Sequence, residues 1–159
     1  RCPVSELINV SILEPVSVPP ARKYRDVNLS GLYLITPNED EVPVLCSEKS
    51  FFTQQQVDEM LQRGVKQIWL HNGKHGSALY GPGKSVSLHA PEIEVLDCTG
   101  AGDGSLSGFI LGKYLGKDDA DCMKIAHTLS AEILQVNGAI ATHLDQNKLL
   151  ELVSKYYPS

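Results

Sequence analysis

The sequence has 159 residues, enough for one domain with a sizeable core, and its 42% apolar and 21% charged fractions exclude a disordered or fibrous chain. A formal net charge of −5, without a run of basic residues, excludes the electrostatic surface that nucleic acid or an anionic membrane requires. No apolar stretch is long enough for a membrane helix, and no signal pattern opens the chain. We therefore expect a cytoplasmic protein, and the start at Arg1 predicts a piece of a longer chain.

The cysteines are widely spaced and form neither a CxxC pair nor a cluster with histidines at zinc-finger spacing. This pattern predicts reduced thiols that are buried in the core. The prediction covers Cys2, Cys46, Cys98 and Cys122. For Cys98 we expect a small packing residue, because no neighbouring His or Lys would lower its pKa.

The first half of the chain alternates short apolar runs with polar turns. These runs predict strands over 7–13, 32–35 and 65–70, with a proline-rich loop after the first strand. Residues 53–56 match the capping-box pattern, so we expect a short amphipathic helix that ends near Gly64.

The second half predicts a hairpin, a strand and three helices. The hairpin strands contain residues 78–80 and 86–88, and a further strand covers 93–96. Helical periodicity then covers 99–115, and Asp118 or Asp119 begins a helix that runs to about residue 136. Asp145 is predicted to cap the last helix. Trp69, within a predicted strand, is expected in the core.

Strands alternating with amphipathic helices predict an α/β fold, in which a largely parallel sheet is covered by helices on both faces. Ligands of such sheets bind beyond the carboxyl ends of the strands. The turns at 36–41, 71–76 and 97–103 each follow a predicted strand. We therefore expect these three turns to converge on one edge of the sheet.

The turn before the 99–115 helix carries the most chemistry. Glycines at 100 and 102 allow close backbone approach, and the free amides of a first helical turn attract negative charge, which suits a phosphate. The carboxylate of Asp103 would accept a proton from an attacking hydroxyl. The alternative is that Asp103 only complements the helix dipole.

The segment Asp97-Cys98-Thr99-Gly100-Ala101-Gly102-Asp103 closely resembles the signature of ribokinase-like kinases of the PfkB family. Residues 36–41 resemble the family's N-x-x-E motif, and 65–76 resemble its nucleotide turn, a strand followed by G-x-x-G. Residues 137–139, Asn-Gly-Ala, resemble the segment that closes the adenine pocket. These landmarks occur in the family's order and cover most of the chain.

The resemblance implies that Asp103 is the catalytic base and that Gly100, Ala101 and Gly102 form the anion hole. Asn38 and Glu41 would position Mg²⁺ through water. Oxygen ligands suit this ion. Asn-x-x-Glu is also an ordinary capping box at a helix start, in which Asn38 caps the helix and the Glu41 side chain bonds back to the Asn38 amide. This structural alternative to a Mg²⁺ site stays open.

ATP-binding residues follow from the same resemblance: Asn72, Gly73, Gly76, His127, Asn137 and Gly138. Asn72 and His71 stand where the family more often has Leu and Thr or Ser. The alternatives are a plain hairpin turn at Gly73 and Gly76 and a core or surface role for His127. In some members a monovalent cation such as K⁺ binds beside the anion hole, where Asp97 and Thr99 match. A structural role for Asp97 is the alternative.

The resemblance identifies residues 1–159 with the C-terminal, nucleotide-binding portion of a PfkB-type kinase, without the N-terminal sugar-binding half and its lid. It implies ATP-dependent phosphorylation of a sugar or nucleoside hydroxyl by the intact protein, and an inactive fragment. Residues 13–23 resemble a stretch of pseudouridine kinases, so pseudouridine ranks before ribose or another nucleoside. A non-catalytic nucleotide-binding module and an unrelated doubly wound domain remain alternatives. Exposed sheet edges predict self-association, as a homo-oligomer.

Overall fold

The computed structural model describes residues 11–46 and 51–158. These residues form two compact units. One contains the sheet and runs up to Gly73, with Ser77–Ser87 added; the other contains Lys74–Gly76 and the chain from Leu88 onward. Among the helices of the described residues, none has the length and apolarity to span a membrane.

Within the described residues, the sheet unit holds five strands in the spatial order of the sequence: β1 Ser11–Leu13, β2 Leu32–Ile35, β3 Gln67–His71, β4 Ser77–Gly81 and β5 Lys84–Leu88. Strands β1, β2 and β3 run parallel, and β3 pairs antiparallel with β4. In the parallel register Ile35 lies opposite Ile68. The sheet is therefore mixed. Its first three strands are parallel, as the alternation of strands and helices predicted.

In the described part of this unit, three short α-helices accompany the sheet: α1 Val18–Ala21, α2 Glu41–Leu45 and α3 Gln54–Gln62. The core between sheet and helices consists of buried aliphatic side chains, among them Ile35, Val42, Leu45, Met60 and Ile68. At the start of α3 the side chain of Gln56 accepts a hydrogen bond from the Thr53 amide at 2.8 Å, as the capping-box pattern predicted. Trp69 is fully buried, which confirms its predicted place in the core.

Two sequence predictions for secondary structure were wrong. The proline-rich segment after β1 is not a loop but forms α1, because prolines fit the first helical turn, where amide donors lack partners anyway. Residues 93–96 form no strand; instead the amide of Leu96 donates to the carbonyl of Leu134 at 2.8 Å. Of the predicted 7–13 strand, only 11–13 lies within the described residues.

The second unit is built on three longer helices: α4 Ala101–Tyr114, α5 Asp119–Leu134 and α6 Gln146–Tyr156. The predicted caps are confirmed, since Asp118 accepts from the Asp121 amide and Asp145 from the Lys148 amide. Each cap satisfies a donor that the first turn leaves without an intrahelical partner. Both helices therefore begin where the sequence predicted.

Helices α4 and α5 approach closely along a row of glycines at four-residue spacing. Side chains added at Gly108 and Gly112 would meet Ala126 and Cys122, respectively, on α5. A four-residue spacing keeps these glycines on one face of α4. The close packing places the first turn of α4 beside the end of α5 and the loop that follows it.

Candidate active site

The first turn of α4 presents unencumbered backbone amides. Gly100 precedes it with a left-handed φ of 81°, a conformation that glycine adopts without strain, and supplies no side-chain cap. The Ala101 amide makes only a long 3.5 Å bond to the Cys98 carbonyl. A side chain at Gly100 would also collide with Ala139. The turn can therefore bind an anion through its backbone.

Asp103 lies in this first turn, and its side chain is exposed. It is not directed into the core, and its carboxylate makes no hydrogen bond with the described residues. An exposed carboxylate beside free helix-start amides combines an anion-binding surface with a proton acceptor. This is the chemical combination that phosphoryl transfer to a hydroxyl requires.

Asp97 accepts three hydrogen bonds from the protein. Its Oδ1 accepts from the Thr99 amide at 2.9 Å and from the Thr99 hydroxyl at 2.7 Å, while its Oδ2 accepts from the Gly138 amide at 3.0 Å. The Thr99 amide, the Thr99 hydroxyl and the Gly138 amide hold the pKa of this carboxyl below its usual range. Asp97 thus has the structural role that the sequence left open, joining the α4 turn to the loop after α5.

Asn38 and Glu41 form a reciprocal box at the start of α2. The Asn38 side chain accepts from the amides of Asp40 at 3.0 Å and Glu41 at 2.9 Å, which uses both lone pairs of its oxygen. Glu41 returns a bond through Oε2 to the Asn38 amide, and burial raises the pKa of its carboxyl. The capping alternative is therefore present in the structure, and Glu41 rather than Asn38 keeps acceptor capacity for a metal-bound water.

Strand β3 ends beside the Asn38 turn. A parallel bridge pairs Asn38 with His71, and the His71 amide donates to the Pro37 carbonyl at 2.9 Å. The His71 and Trp69 rings contact each other in a tilted arrangement, with centroids 4.3 Å apart and an interplanar angle of 50°. The chain continues through Asn72 into a 3₁₀ turn at Gly73–His75. The 36–41 and 71–73 turns are therefore neighbours, as the parallel strands predicted.

Gly76 ends this turn with a left-handed φ of 100°. The space that a side chain would need there is filled by the backbone of Leu88, His89 and Ala90. Gly76 is therefore required by close packing of the backbone, which is compatible with both the nucleotide-turn and the plain-turn interpretation.

His127 is buried within α5, with 7% of its surface exposed. Its Nδ1 lies 3.1 Å from the hydroxyl of Tyr157, which also donates to the His89 carbonyl at 2.9 Å. Burial lowers the pKa of the imidazole to about 4, against an opposing hydrogen bond to the His89 backbone. His127 is thus a neutral, internally bonded side chain, and sequence reasoning missed its partner Tyr157, because nothing local links residues 30 positions apart.

The cysteine prediction was partly wrong. Cys46 and Cys122 are buried free thiols, and burial raises the pKa of each to about 11. Cys98 is also free but exposed, because the turn that carries it faces outward beside the uncapped amides. Its expected packing role is therefore not observed. Cys2 lies outside the described residues.

Within 11–46 and 51–158 no group of three or more His, Cys, Asp and Glu side chains could hold a metal ion by itself. Mg²⁺ bound with a nucleotide does not need such a cage, because it keeps several waters and takes ligands from phosphates. The carboxylates of the 36–41 turn are those of Glu39, Asp40 and the buried Glu41. Glu41 supplies a carboxylate beside the β3 turn.

A family model described as pfkB family carbohydrate kinase matches residues 8–147. The chain belongs to the pfkB family of carbohydrate kinases. Membership confirms the resemblance to the ribokinase-like kinases of the PfkB family.

Curated relatives of this pfkB-family chain include two ribokinases. Ribokinase of Arabidopsis thaliana is 31% identical over 130 residues, covering 79% of this chain and 34% of the relative. Ribokinase of Bacillus subtilis (strain 168) is 27% identical over 143 residues, covering 90% and 46%. The chain thus spans about a third to a half of the length of these relatives.

Solved structures show the ribokinase-like α/β fold of the pfkB chain. Arabidopsis thaliana ribokinase, complexed with ribose and ATP, has a TM-score of 0.71 at 31% identity, over 79% of this chain and 42% of that one. An E. coli protein designated Ribokinase II, in complex with ATP and Mg²⁺, has a TM-score of 0.80 at 20% identity, over 96% and 51%. The second likeness concerns the fold alone.

Proposed function

We propose that the protein transfers the γ-phosphoryl group of ATP to a hydroxyl of a sugar or nucleoside, and that this chain supplies the nucleotide-binding side of the reaction. The observation that carries the proposal is the start of α4, where a left-handed Gly100 leaves the amides uncapped and Asp103 is exposed in the same turn. Family membership and relatives solved with ATP support it.

In the proposed reaction the acceptor oxygen bonds to the γ-phosphorus while the bond from that phosphorus to the β,γ-bridging oxygen breaks. The hydroxyl proton passes to Asp103, and ADP leaves. The amides of Gly100, Ala101 and Gly102 stabilise the charge that spreads over the γ-phosphoryl oxygens in a loose transition state. Mg²⁺, when bound with ATP, neutralises phosphate charge, and Glu41 is proposed to hold one of its waters.

ATP is proposed to extend from this anion hole along residues that the family resemblance assigns. These are Asn72, Gly73, Gly76, His127, Asn137 and Gly138. Within the helical unit, Asp97 bonds Gly138 and thereby joins the α4 turn to the adenine-side loop, which supports a single continuous site there. Because both Asp97 oxygens already accept hydrogen bonds, we propose that Asp97 and Thr99 act first as this structural link and only secondarily beside a K⁺ ion.

Pseudouridine is proposed as the first substrate to test. The support is the stretch Leu13–Lys23, which resembles the corresponding stretch of pseudouridine kinases. Ribose and other nucleosides follow in rank. Comparing kcat/KM for pseudouridine, ribose and adenosine in the protein that carries this chain tests the ranking, and a higher kcat/KM for ribose than for pseudouridine would reject it.

Asp103→Asn tests the base role. The amide keeps the side-chain shape but is a poor proton acceptor, so we expect kcat to fall about 10²-fold or more with KM for ATP little changed. Asp26→Asn, at an exposed position in the sheet unit, is the matched control. A loss of less than tenfold in kcat would remove Asp103 from the role.

Calorimetry with Mg·ATP separates the kinase from a non-catalytic module. Binding together with turnover supports the proposed function. Binding without turnover of any sugar or nucleoside by the complete protein would favour a nucleotide-binding module. An absence of binding would reject both.

A further inference from the structure

Helix α6 ends on two consecutive tyrosines whose hydroxyls bond to different neighbours. The Tyr156 hydroxyl donates to Oε1 of Glu132 at 2.9 Å and accepts from Gln135 at 3.2 Å. The Tyr157 hydroxyl donates to the His89 carbonyl at 2.9 Å and lies 3.1 Å from Nδ1 of His127. One helix end is thus bonded to two distinct segments of the same unit.

The Tyr156 hydroxyl is bonded to a residue that also holds the loop between α5 and α6. Glu132, which accepts from Tyr156, also bonds Nε2 of His143 through its second oxygen at 2.9 Å, and its side chain is only 13% exposed. Glu132 and His143 lie on either side of Gly138 in the chain, and Gly138 donates to Asp97. The hydrogen bonds among Tyr156, Glu132 and His143 therefore hold both ends of the loop that meets the α4 turn.

The Tyr157 hydroxyl is bonded to the segment that packs against Gly76. Tyr157 bonds the carbonyl of His89, and the backbone of residues 88–90 fills the space next to Gly76. The same hydroxyl meets His127, which is buried and makes its bonds inside the protein. Movement of Tyr157 would therefore free the 88–90 backbone that packs against Gly76, and it would also remove the contact to the His127 ring.

We infer that Tyr156 and Tyr157 are positioning residues for the nucleotide, which hold the 135–143 loop and the 88–90 segment at the separation that ATP requires. The inference rests on the proposed function, because Gly76, His127 and Gly138 are the residues proposed to border ATP. Neither hydroxyl needs to touch the ligand. Each acts through the segment to which it is bonded.

Tyr156→Phe and Tyr157→Phe remove the hydroxyls and keep the packing of the rings. We expect each variant to raise the Kd for Mg·ATP about fivefold, which is the scale expected for one lost hydrogen bond, and the double variant to raise it further. The KM for ATP should rise in parallel, with kcat and the acceptor KM within twofold of wild type. Tyr114→Phe is the matched control, because Tyr114 is 51% exposed on α4.

Hydrogen exchange of the nucleotide-free protein provides a readout independent of binding. Tyr156→Phe should accelerate exchange in peptides that cover 135–143, and Tyr157→Phe in peptides that cover 86–92. The two patterns should differ, since each hydroxyl is bonded to its own segment. A merely structural role would instead accelerate exchange throughout α5 and α6 and leave the KM for ATP unchanged.

The outcomes separate the two proposals. If wild type binds Mg·ATP and both phenylalanine variants bind it within twofold of wild type, the positioning role is overturned and the proposed function stands. If wild type does not bind Mg·ATP, the proposed function fails and the positioning role with it. Weaker nucleotide binding with localised exchange supports both.

Discussion

The carboxylate of Asp97 accepts a hydrogen bond from the amide of Gly138 at 3.0 Å, although the two residues are 41 positions apart in the chain. This bond joins the turn that opens α4 to the loop that follows α5. The other Asp97 oxygen is held by Thr99. The geometry of the proposed anion hole therefore depends on a loop at the far end of the neighbouring helix.

Asp97→Asn should loosen this connection. The substituted amide brings an N–H group where the carboxylate had an acceptor, so either Gly138 or Thr99 loses a charge-assisted bond. We expect about a three- to tenfold rise in the Kd for Mg·ATP, the scale of one lost hydrogen bond. Titration calorimetry measures it, with Asp26→Asn as the control. Unchanged affinity together with unchanged amide exchange at Gly138 would contradict the prediction.

Gly108→Ala should destabilise the protein, although the same change in an exposed helix is stabilising by about 0.5–1 kcal/mol. The new Cβ would lie 2.7 Å from the Cα of Ala126 and 3.0 Å from its amide nitrogen, and backbone atoms cannot move aside. We expect a loss of about 1–3 kcal/mol in the free energy of unfolding. Ser107→Ala, exposed on the same helix, is the control in urea denaturation. A stabilised Gly108→Ala protein would show that the helices separate easily.

His127 makes stability depend on pH. Burial lowers the pKa of its imidazole from 6.5 to about 4, so between these values the unfolded chain binds a proton that the folded chain does not. The contribution of His127 to the free energy of unfolding is therefore complete above about pH 6.5. It is lost as the pH falls through 4, by about 3 kcal/mol in total.

Denaturation of wild type and His127→Gln at several pH values between 4 and 8 measures this contribution. The difference in unfolding free energy between the two proteins should shrink as pH falls, because only wild type carries the titrating imidazole. A pH-independent difference for His127→Gln would refute the assignment.

Arg63 ties the sheet unit together through backbone carbonyls. Its guanidinium donates to Leu45 at 2.7 Å, Tyr24 at 3.0 Å, Arg25 at 2.5 Å and Val27 at 2.9 Å. Arg63→Ala should cost about 2 kcal/mol or more, because partly buried carbonyls lose charged donors.

Arg63→Lys should recover only part of this stability, since an ammonium group cannot match the planar fork of donors. Arg22→Ala, at an exposed arginine of the same unit, should change stability by less than about 0.5 kcal/mol. Thermal unfolding of the three variants checks the order. Equal melting temperatures for Arg63→Ala and Arg22→Ala would show that the carbonyl bonds contribute nothing net.

Features set by neighbouring residues were predictable from the sequence. The caps at Asp118 and Asp145, the Asn38–Glu41 box and the hairpin of β4 and β5 all appear where the pattern put them. Each depends on bonds that reach only a few residues along the chain. The glycine spacing on α4 could also have been recognised, because residues 104, 108 and 112 recur every four positions.

Predictions failed where burial or distant partners decide. The 93–96 segment has the composition of a strand, but Leu96 bonds to the end of α5 instead of pairing with the sheet. Cysteine is a residue type that is usually buried, but Cys98 is exposed because its turn faces outward. Hydrophobicity alone does not say which neighbour an apolar residue meets, and propensity yields to tertiary context.

The sequence by itself determined the family, the α/β class and the turn with Asp103, because these depend on residue types at short spacing. The tertiary structure alone decided that Asp97 bonds Gly138, that Tyr157 meets His127 and that the glycines of α4 lie against α5. Such contacts join residues tens of positions apart, and they form only when packing brings two elements within hydrogen-bond or van der Waals distance.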